Sequence, residues 1–340
     1  MYTLGIDCHK KYSQVAVLNE EGVLKMNRRI PNSKEQFDSL LTNLGEPCQA
    51  VIEAGYSWGT MYDLLTELGV DVTVAHALKV KAIASAKIKT DTIDARTLAE
   101  LLRANLIPDV YVPSKDIRHQ KDILRQRCWL VKLRTMLKNR IHQIINRNHI
   151  QPPGITDLFG STGRKFIKSL QLPQPDHSLL SQNLDILDFV CAQIKITEKW
   201  IDEYLQDNSY QKILQSFPGF GKILSALAAL EIADINRFSK PSKLSAYSGL
   251  TPTVYASGGK VYNGNLTPEC NRWLRYAFIE AAWSAISSSL YFRSYFARLK
   301  YRKNANTAII NVARKLSEIV FWCLKEHRCF EERAYAPCFR

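Results

Sequence analysis

Tyr2-Thr3-Leu4-Gly5-Ile6-Asp7 is a short apolar run that stops on an acid, and the runs that follow it decide how the first third of the chain folds. Residues 14–19 and 23–30 read as further strands, and Glu20-Glu21-Gly22 between them has the composition of a tight turn. Three such strands in succession predict an antiparallel meander. Asn32-Ser33-Lys34-Glu35-Gln36 then offers N-cap chemistry for a helix reaching Asn43, and residues 49–54 read as a buried strand. A helix over 57–68, a strand over 71–75 and helices over 78–87 and 92–105 complete the unit.

A meander followed by alternating helices and strands is the order of an RNase H-like domain, so an α/β unit is expected over residues 1–110. Four acids fall at its junctions. Asp7 ends the first strand, Glu53 ends the fourth, and Asp91 and Asp94 lie three apart at a helix start, which turns both to one face. Carboxylates gathered at strand ends repel one another unless a divalent cation neutralises them, and Mg²⁺ is the hard cation that suits oxygen ligands and phosphodiester chemistry. Each acid also has an ordinary explanation: a strand-end turn for Asp7, a surface position for Glu53, and the helix dipole for Asp91 and Asp94.

The net charge of +14 is unevenly spread. Residues 1–110 hold 12 Lys+Arg against 14 Asp+Glu, so the remaining 230 residues carry +16. Residues 111–150 alone hold 10 basic and 2 acidic side chains, the electrostatic footprint of a polyanion-binding surface, with nucleic acid the expected polyanion. A solvated helix face would have the same composition. No apolar run is long enough to span a membrane, and Met1–Asp7 lacks the basic and apolar regions of a secretory signal, so a cytoplasmic protein with no membrane partner is expected. The eight cysteines are scattered singly, as reduced structural thiols are. Cys323, His327 and Cys329 have no fourth ligand at a zinc-site spacing.

Residues 116–149 contain no helix breaker and place Ile123, Leu130, Leu133, Leu137, Ile141 and Ile144 as a coiled-coil-like seam. Gln151-Pro152-Pro153-Gly154 ends that helix, and a second long helix over 179–205 can pair with it as an antiparallel arm, giving an arm domain over 111–207. Residues 208–340 read as a mainly helical domain interrupted by a Gly/Ser/Pro/Tyr-rich stretch over 249–268. Phe217-Pro218-Gly219-Phe220-Gly221-Lys222 feeds a helix through a glycine turn, either as a helix-hairpin-helix-like element whose amides hold a phosphate or as a plain tight connection. Residues 291–303 read as an amphipathic helix with an aromatic core face, or as a basic and aromatic surface for nucleic acid.

Gly5-Ile6-Asp7-Cys8-His9-Lys10, Ile52-Glu53-Ala54-Gly55-Tyr56 and Lys89-Thr90-Asp91-Thr92-Ile93-Asp94-Ala95 resemble, in order and spacing, the N-terminal motifs of the DEDD transposases of insertion sequences. That family joins a RuvC-like domain to a serine-bearing transposase domain and includes the pilin-gene invertases. The turn at Gly219, Lys243–Pro252, Ser257-Gly258-Gly259-Lys260 and Asn271-Arg272-Trp273-Leu274-Arg275 follow the same family's C-terminal pattern. The chain departs from it at Ala256, where many members have a second serine, and at Glu269-Cys270, where a glycine commonly precedes the asparagine.

The resemblance implies that Asp7, Glu53, Asp91 and Asp94 form a metal-binding tetrad for Mg²⁺ and that Ser257 is a nucleophile giving a covalent phosphoserine with DNA. It implies a DNA transposase or recombinase that handles donor and target DNA, works with a structured guide RNA, and acts as a homo-oligomer, a dimer or tetramer held partly by the arm. The basic and glycine residues placed to meet nucleic acid are Lys10, Arg125, Arg127, Arg134, Lys138, Arg140, Gly219, Gly221, Lys222, Lys260, Arg272 and Arg275. Two alternatives are a RuvC-like junction nuclease that uses metal-activated water, and a non-catalytic nucleic-acid-binding protein with a vestigial tetrad.

Overall fold

The computed structural model describes residues 1–84, 90–152, 154–205 and 208–332. The end of the helix expected over 78–87, Lys89 and Pro153 lie outside the described residues. The chain divides into two compact units, Met1–Val112 and Pro113–Arg340.

The first unit is a five-stranded sheet in the order β3-β2-β1-β4-β5. β1 (Tyr2–Cys8), β2 (Tyr12–Leu18) and β3 (Leu24–Pro31) form the expected meander, and β4 (Cys48–Glu53) and β5 (Asp71–Ala75) add parallel to β1. Alternation along the strands divides the core into two layers. Leu4, Ile6, Val15, Val17 and Ile52 pack with Phe37 and Leu40 of α1 (Lys34–Leu44) and with Met61 and Leu65 of α2 (Trp58–Glu67). Val51 and Ala75 face the other way, toward Val80 of α3 (Ala77–Ile83) and Leu98 and Leu101 of α4 (Asp91–Arg103). Ser33 caps α1 by accepting from the Gln36 amide, as its sequence predicts. This mixed sheet with its helices is the RNase H-like arrangement, and strand order and register carry that assignment.

Among its described residues, the second unit is helical apart from one hairpin. α5 (Lys115–Arg147) and α7 (Asp176–Tyr204) run antiparallel, since Arg127 pairs with Glu198 at 2.8 Å and Arg147 with Asp176 at 3.0 Å. Leu130, Leu137, Ile141 and Ile144 interleave with Leu180, Leu184, Leu187, Val190 and Ile194, and Ile167 of α6 (Ser161–Ser169) joins the same core. Leu133 and Ile123, also expected in the seam, are only half-buried. The base of the pair belongs to a different cluster: Leu124, Cys128 and Ile201 share one core with Leu227, Phe278, Phe292 and Phe321 of the C-terminal helices. The expected division near residue 207 therefore falls inside a unit with a shared core.

That C-terminal core is built by α8 (Ser209–Gln215), α9 (Lys222–Ile232), α10 (Pro241–Tyr247), α11 (Arg272–Ser288), α12 (Leu290–Arg302) and α13 (Ala305–Lys325). Tyr291 and Phe292 are buried in it, so α12 turns an aromatic face inward. Cys323 is a core residue, which leaves it unsuited to a surface zinc site. Residues 249–268, expected to interrupt the helices, contain an antiparallel hairpin of β6 (Pro252–Ser257) and β7 (Lys260–Leu266). No described helix is long and apolar enough to cross a membrane.

Candidate active site

Gly5 brings α4 onto the sheet. A Cβ there would lie 2.0 Å from the Ala95 carbonyl oxygen and 2.5 Å from the Ala99 amide, so only glycine lets the helix approach this closely. Asp7 is two residues along the same strand and faces the same side. Asp91 is one helical turn before Ala95 and lies in the same row. The close packing that Gly5 permits thus carries the two carboxylates toward each other.

The start of α4 is held from two directions. Thr90 caps it, its hydroxyl accepting from the Ile93 amide, and Asp91 and Asp94 sit in the first turn, where the helix dipole favours acids. From the sheet, Gln14 donates to Asn27 at 2.6 Å and Asn27 donates to the Thr92 carbonyl at 2.9 Å. Asp91 also pairs with Arg29 at 3.4 Å, and the guanidinium lies over the Tyr12 ring.

A residue that sequence spacing did not flag completes the group. His9 lies tilted against the Tyr12 ring and places Nε2 3.3 Å from Asp7 Oδ2 and 3.2 Å from Asp91 Oδ2. Neither contact has hydrogen-bond geometry, and Nε2 is buried without a hydrogen-bond partner. Ligand atoms of Asp7, His9 and Asp91 all lie within 4.8 Å of one another. Two carboxylate oxygens and an imidazole nitrogen directed at a common space, with the nitrogen unsatisfied, is a donor set that fits a divalent cation. Glu53 follows Ile52, which pairs with Ile6, so it stands beside Asp7 at the parallel strand ends. The converging group does not include Glu53 or Asp94, which lies in the first turn of α4. Next after Asp7 along β1, Cys8 has its thiol pushed up to about 12, by burial first and by the charges of Asp7 and Glu53 in addition.

In the second unit Ser257 ends β6 and pairs across the hairpin with Lys260. Gly258 and Gly259 make the turn with φ of 55° and 77°, the left-handed pair that a two-residue turn of this type needs. All four of these residues are exposed.

The basic residues expected to meet nucleic acid divide by environment. Lys10, Arg140, Lys222, Lys260 and Arg272 are exposed, with Lys222 paired to Asp202, and Arg134 is half-buried. Lys138 lies over the Phe159 ring at 4.6 Å, and Arg127 is held by Glu198. Arg275 donates to the Thr267 carbonyl and packs against Gly249, bracing the base of the hairpin. Arg125 reaches Glu231, a carboxylate only 1% exposed, at 2.7 Å. Lys121, at 3.4 Å, and Asn271, which donates at 2.8 Å, complete the surroundings of Glu231. Burial lowers the Lys121 pKa, and Glu231 opposes that shift. Asn271 also caps α11 through the Trp273 and Leu274 amides. Gly219 has φ of 92° and sits where a Cβ would lie 2.1 Å from the Ala281 carbonyl, whereas Gly221 caps α9 with nothing within 4 Å.

An RNase H-like unit whose acids converge beside a helix start defines a class of metal-assisted nucleic-acid enzymes. Comparison with known proteins narrows it. Residues 4–150 match the DEDD-type IS110 family model described as "Transposase", and residues 211–297 match "Transposase IS116/IS110/IS902 family". The chain belongs to this family of insertion-sequence transposases. It is 25% identical to the "Transposase for insertion sequence element IS1111A" of Coxiella burnetii, over 96% of this chain and 91% of that one. It is 23% identical to the "Transposase for insertion sequence element IS1328" of Yersinia enterocolitica, over 94% and 95%. Among solved structures, a Thermus thermophilus RuvC structure aligns at 16% identity and a TM-score of 0.24, over 32% of this chain and all of its own.

Proposed function

We propose that this insertion-sequence transposase cuts and rejoins DNA by transesterification through Ser257, assisted by Mg²⁺ at the acidic site of the first unit. Membership in the family supplies DNA as the substrate. The observation that carries the metal half is the convergence of Asp7, His9 and Asp91 on one space, with an unsatisfied nitrogen among them. Glu53, at the strand end beside Asp7, and Asp94, in the first turn of α4 with Asp91, are assigned to the same acidic set. A bound Mg²⁺ would neutralise these carboxylates and supply Lewis-acid polarisation to a phosphodiester oxygen.

For the serine, support comes from its placement. Ser257 stands at the end of a hairpin beside two glycines that have no Cβ to block in-line approach, and its cross-strand partner Lys260 can hold the charge of an attacked phosphate. The Ser257 Oγ–phosphorus bond forms as the phosphorus–oxygen bond to the departing strand breaks. The serine proton passes to a base and the departing oxygen gains one. One phosphodiester is exchanged for another, so a hydroxyl of a second strand reverses the step and rejoins DNA without an external energy source.

The acids and Ser257 lie on different units, so we assign their assembly into one site to the bound nucleic acid and to a second protomer in a dimer or tetramer. The arm α5–α7 and its basic side chains serve that assembly, and a structured guide RNA is the partner that the +16 balance of residues 111–340 fits.

The test is incubation of the full chain, with and without its co-purifying RNA, with donor and target DNA. Wild type in Mg²⁺ should give recombinant DNA and a denaturant-resistant protein–DNA adduct. Ser257→Ala should lose both, and EDTA or Asp91→Asn should abolish recombination. Full strand exchange by Ser257→Ala without any adduct would leave the water-using nuclease as the better reading. DNA binding that is indifferent to EDTA and to Asp94→Asn, with no cutting or rejoining in Mg²⁺, would leave the binding protein.

A further inference from the structure

The hairpin that carries Ser257 has a second built feature. Tyr255 pairs with Tyr262 across β6 and β7, and Ser257 pairs with Lys260. Residues two apart on a strand share a face, and directly opposed residues do too, so Tyr255, Tyr262, Ser257 and Lys260 all project from one side of the hairpin. Val254 and Ala256 project from the other. The register is regular from Val254 to the turn, so this face is not scrambled by the bulge near Pro252.

Both tyrosines stay in water, 66% and 62% exposed, although large rings at such positions ordinarily seek cover. Tyr255 is nonetheless supported from beneath. A Cβ on Gly264 would lie 3.2 Å from the Tyr255 ring and 2.4 Å from the Thr253 hydroxyl, so the missing side chain makes room for the ring to lie across the strand. A ring held this way loses little freedom when something stacks on it. Residues 252–266 contain one lysine and no acid, so nothing on the hairpin repels a phosphate. The tyrosine pair stands two residues, about 6.6 Å, from the Ser257–Lys260 pair, roughly the length of one nucleotide of extended chain.

We infer that the Tyr255–Tyr262 pair is a stacking shelf for an unpaired base of the DNA strand, next to the phosphate that Lys260 holds and Ser257 attacks. The inference rests on the proposed role of Ser257. Sugar–phosphate at the tip and base on the shelf would hold one nucleotide in a fixed register, so the tyrosines are positioning residues for the reaction. A nucleotide already unpaired would bind with less cost than one still in duplex.

The test uses the full chain and short single-stranded DNA carrying one 2-aminopurine, with RNA of the same sequence and the duplex DNA as comparators. Single-stranded DNA should bind with quenching of the probe. Tyr255→Ala and Tyr262→Ala should each weaken binding about tenfold and relieve the quenching, and Tyr→Phe at either site should stay within about twofold of wild type. Val254→Ala, on the opposite face, should leave binding and quenching unchanged, which separates loss of the shelf from loss of the hairpin. Unaltered quenching in the double variant Tyr255→Ala, Tyr262→Ala would overturn the shelf, as would tighter stacking on RNA than on DNA. Ser257→Ala should keep the quenching while losing the covalent adduct. An adduct that survives in Ser257→Ala would refute the serine chemistry alone, because the binding measurement does not depend on it.

Discussion

The Ala95 carbonyl oxygen lies 2.0 Å from where a Cβ on Gly5 would stand, so the first strand and the helix bearing Asp91 and Asp94 meet backbone to backbone. Gly5→Ala must push α4 away from the sheet. We expect a loss of about 1–3 kcal/mol in urea unfolding, the usual cost of overpacking. A larger proportional loss is expected in divalent-cation affinity, because Asp91 moves with the helix and Asp7 does not. Unchanged cation binding in a destabilised variant would separate the packing from the site.

Much of this arrangement was legible in the residues themselves. The second and third strands could be told apart because Glu20-Glu21-Gly22 has the composition of a turn, and β5 falls at the expected 71–75. The long helices could be read because nothing in them breaks a helix. The hairpin over 252–266 was not, since much of β6 is exposed and so lacks the buried alternation that marks a strand. His9 was quoted within a motif but given no role, because a single histidine after an acid has no periodic signature. Glu231 left a fainter trace: a lone acid within the apolar run Leu224–Ile232 has to be buried with partners, and Lys121 and Arg125 provide them more than a hundred positions earlier.

His9→Ala tests the composition of the metal site. An imidazole nitrogen favours Mn²⁺ and later transition metals more than it favours Mg²⁺. The variant should bind Mn²⁺ about 10–100-fold more weakly, read by electron paramagnetic resonance titration, with a smaller change for Mg²⁺. Equal losses for both cations would make His9 a brace for the carboxylates and not a ligand.

Cys8 reports the packing at the same strand end. Its thiol is raised to about 12 from a starting value of 9.0, chiefly by burial. A folded-state pKa above the unfolded one means that the thiol's contribution to stability is fully present below about pH 9 and is lost as pH rises toward 12. Only the thiolate reacts with iodoacetamide, so at pH 8.5 Cys8 should be alkylated more than about a hundredfold more slowly than exposed Cys329, measured by peptide mass spectrometry. Comparable rates would mean that the end of β1 is open.

Glu231→Gln removes the one carboxylate that Lys121 and Arg125 share. Lys121 is 6% exposed and keeps its charge buried without an opposite partner. Breaking a buried pair from one side costs about 3–5 kcal/mol, and denaturant unfolding should show it. Arg125→Ala should cost less, because Lys121 and Asn271 still satisfy the carboxylate and the guanidinium site is open to water.

Gly219 and Gly221 lie two residues apart in the same turn yet answer to different constraints. Gly219→Ala places a Cβ against the Ala281 carbonyl at a left-handed φ, so both strain and overlap oppose it. It should lose at least about 1–3 kcal/mol of stability. Gly221→Ala meets nothing within 4 Å at an ordinary φ of −75° and should unfold within about 1 kcal/mol of wild type. With folding preserved, Gly221→Ala adds only a methyl group at the surface of the turn. Weaker DNA binding by this variant, with a shallower salt dependence, would assign the turn a phosphate contact, whereas unchanged binding would leave it as a packing connection between α8 and α9.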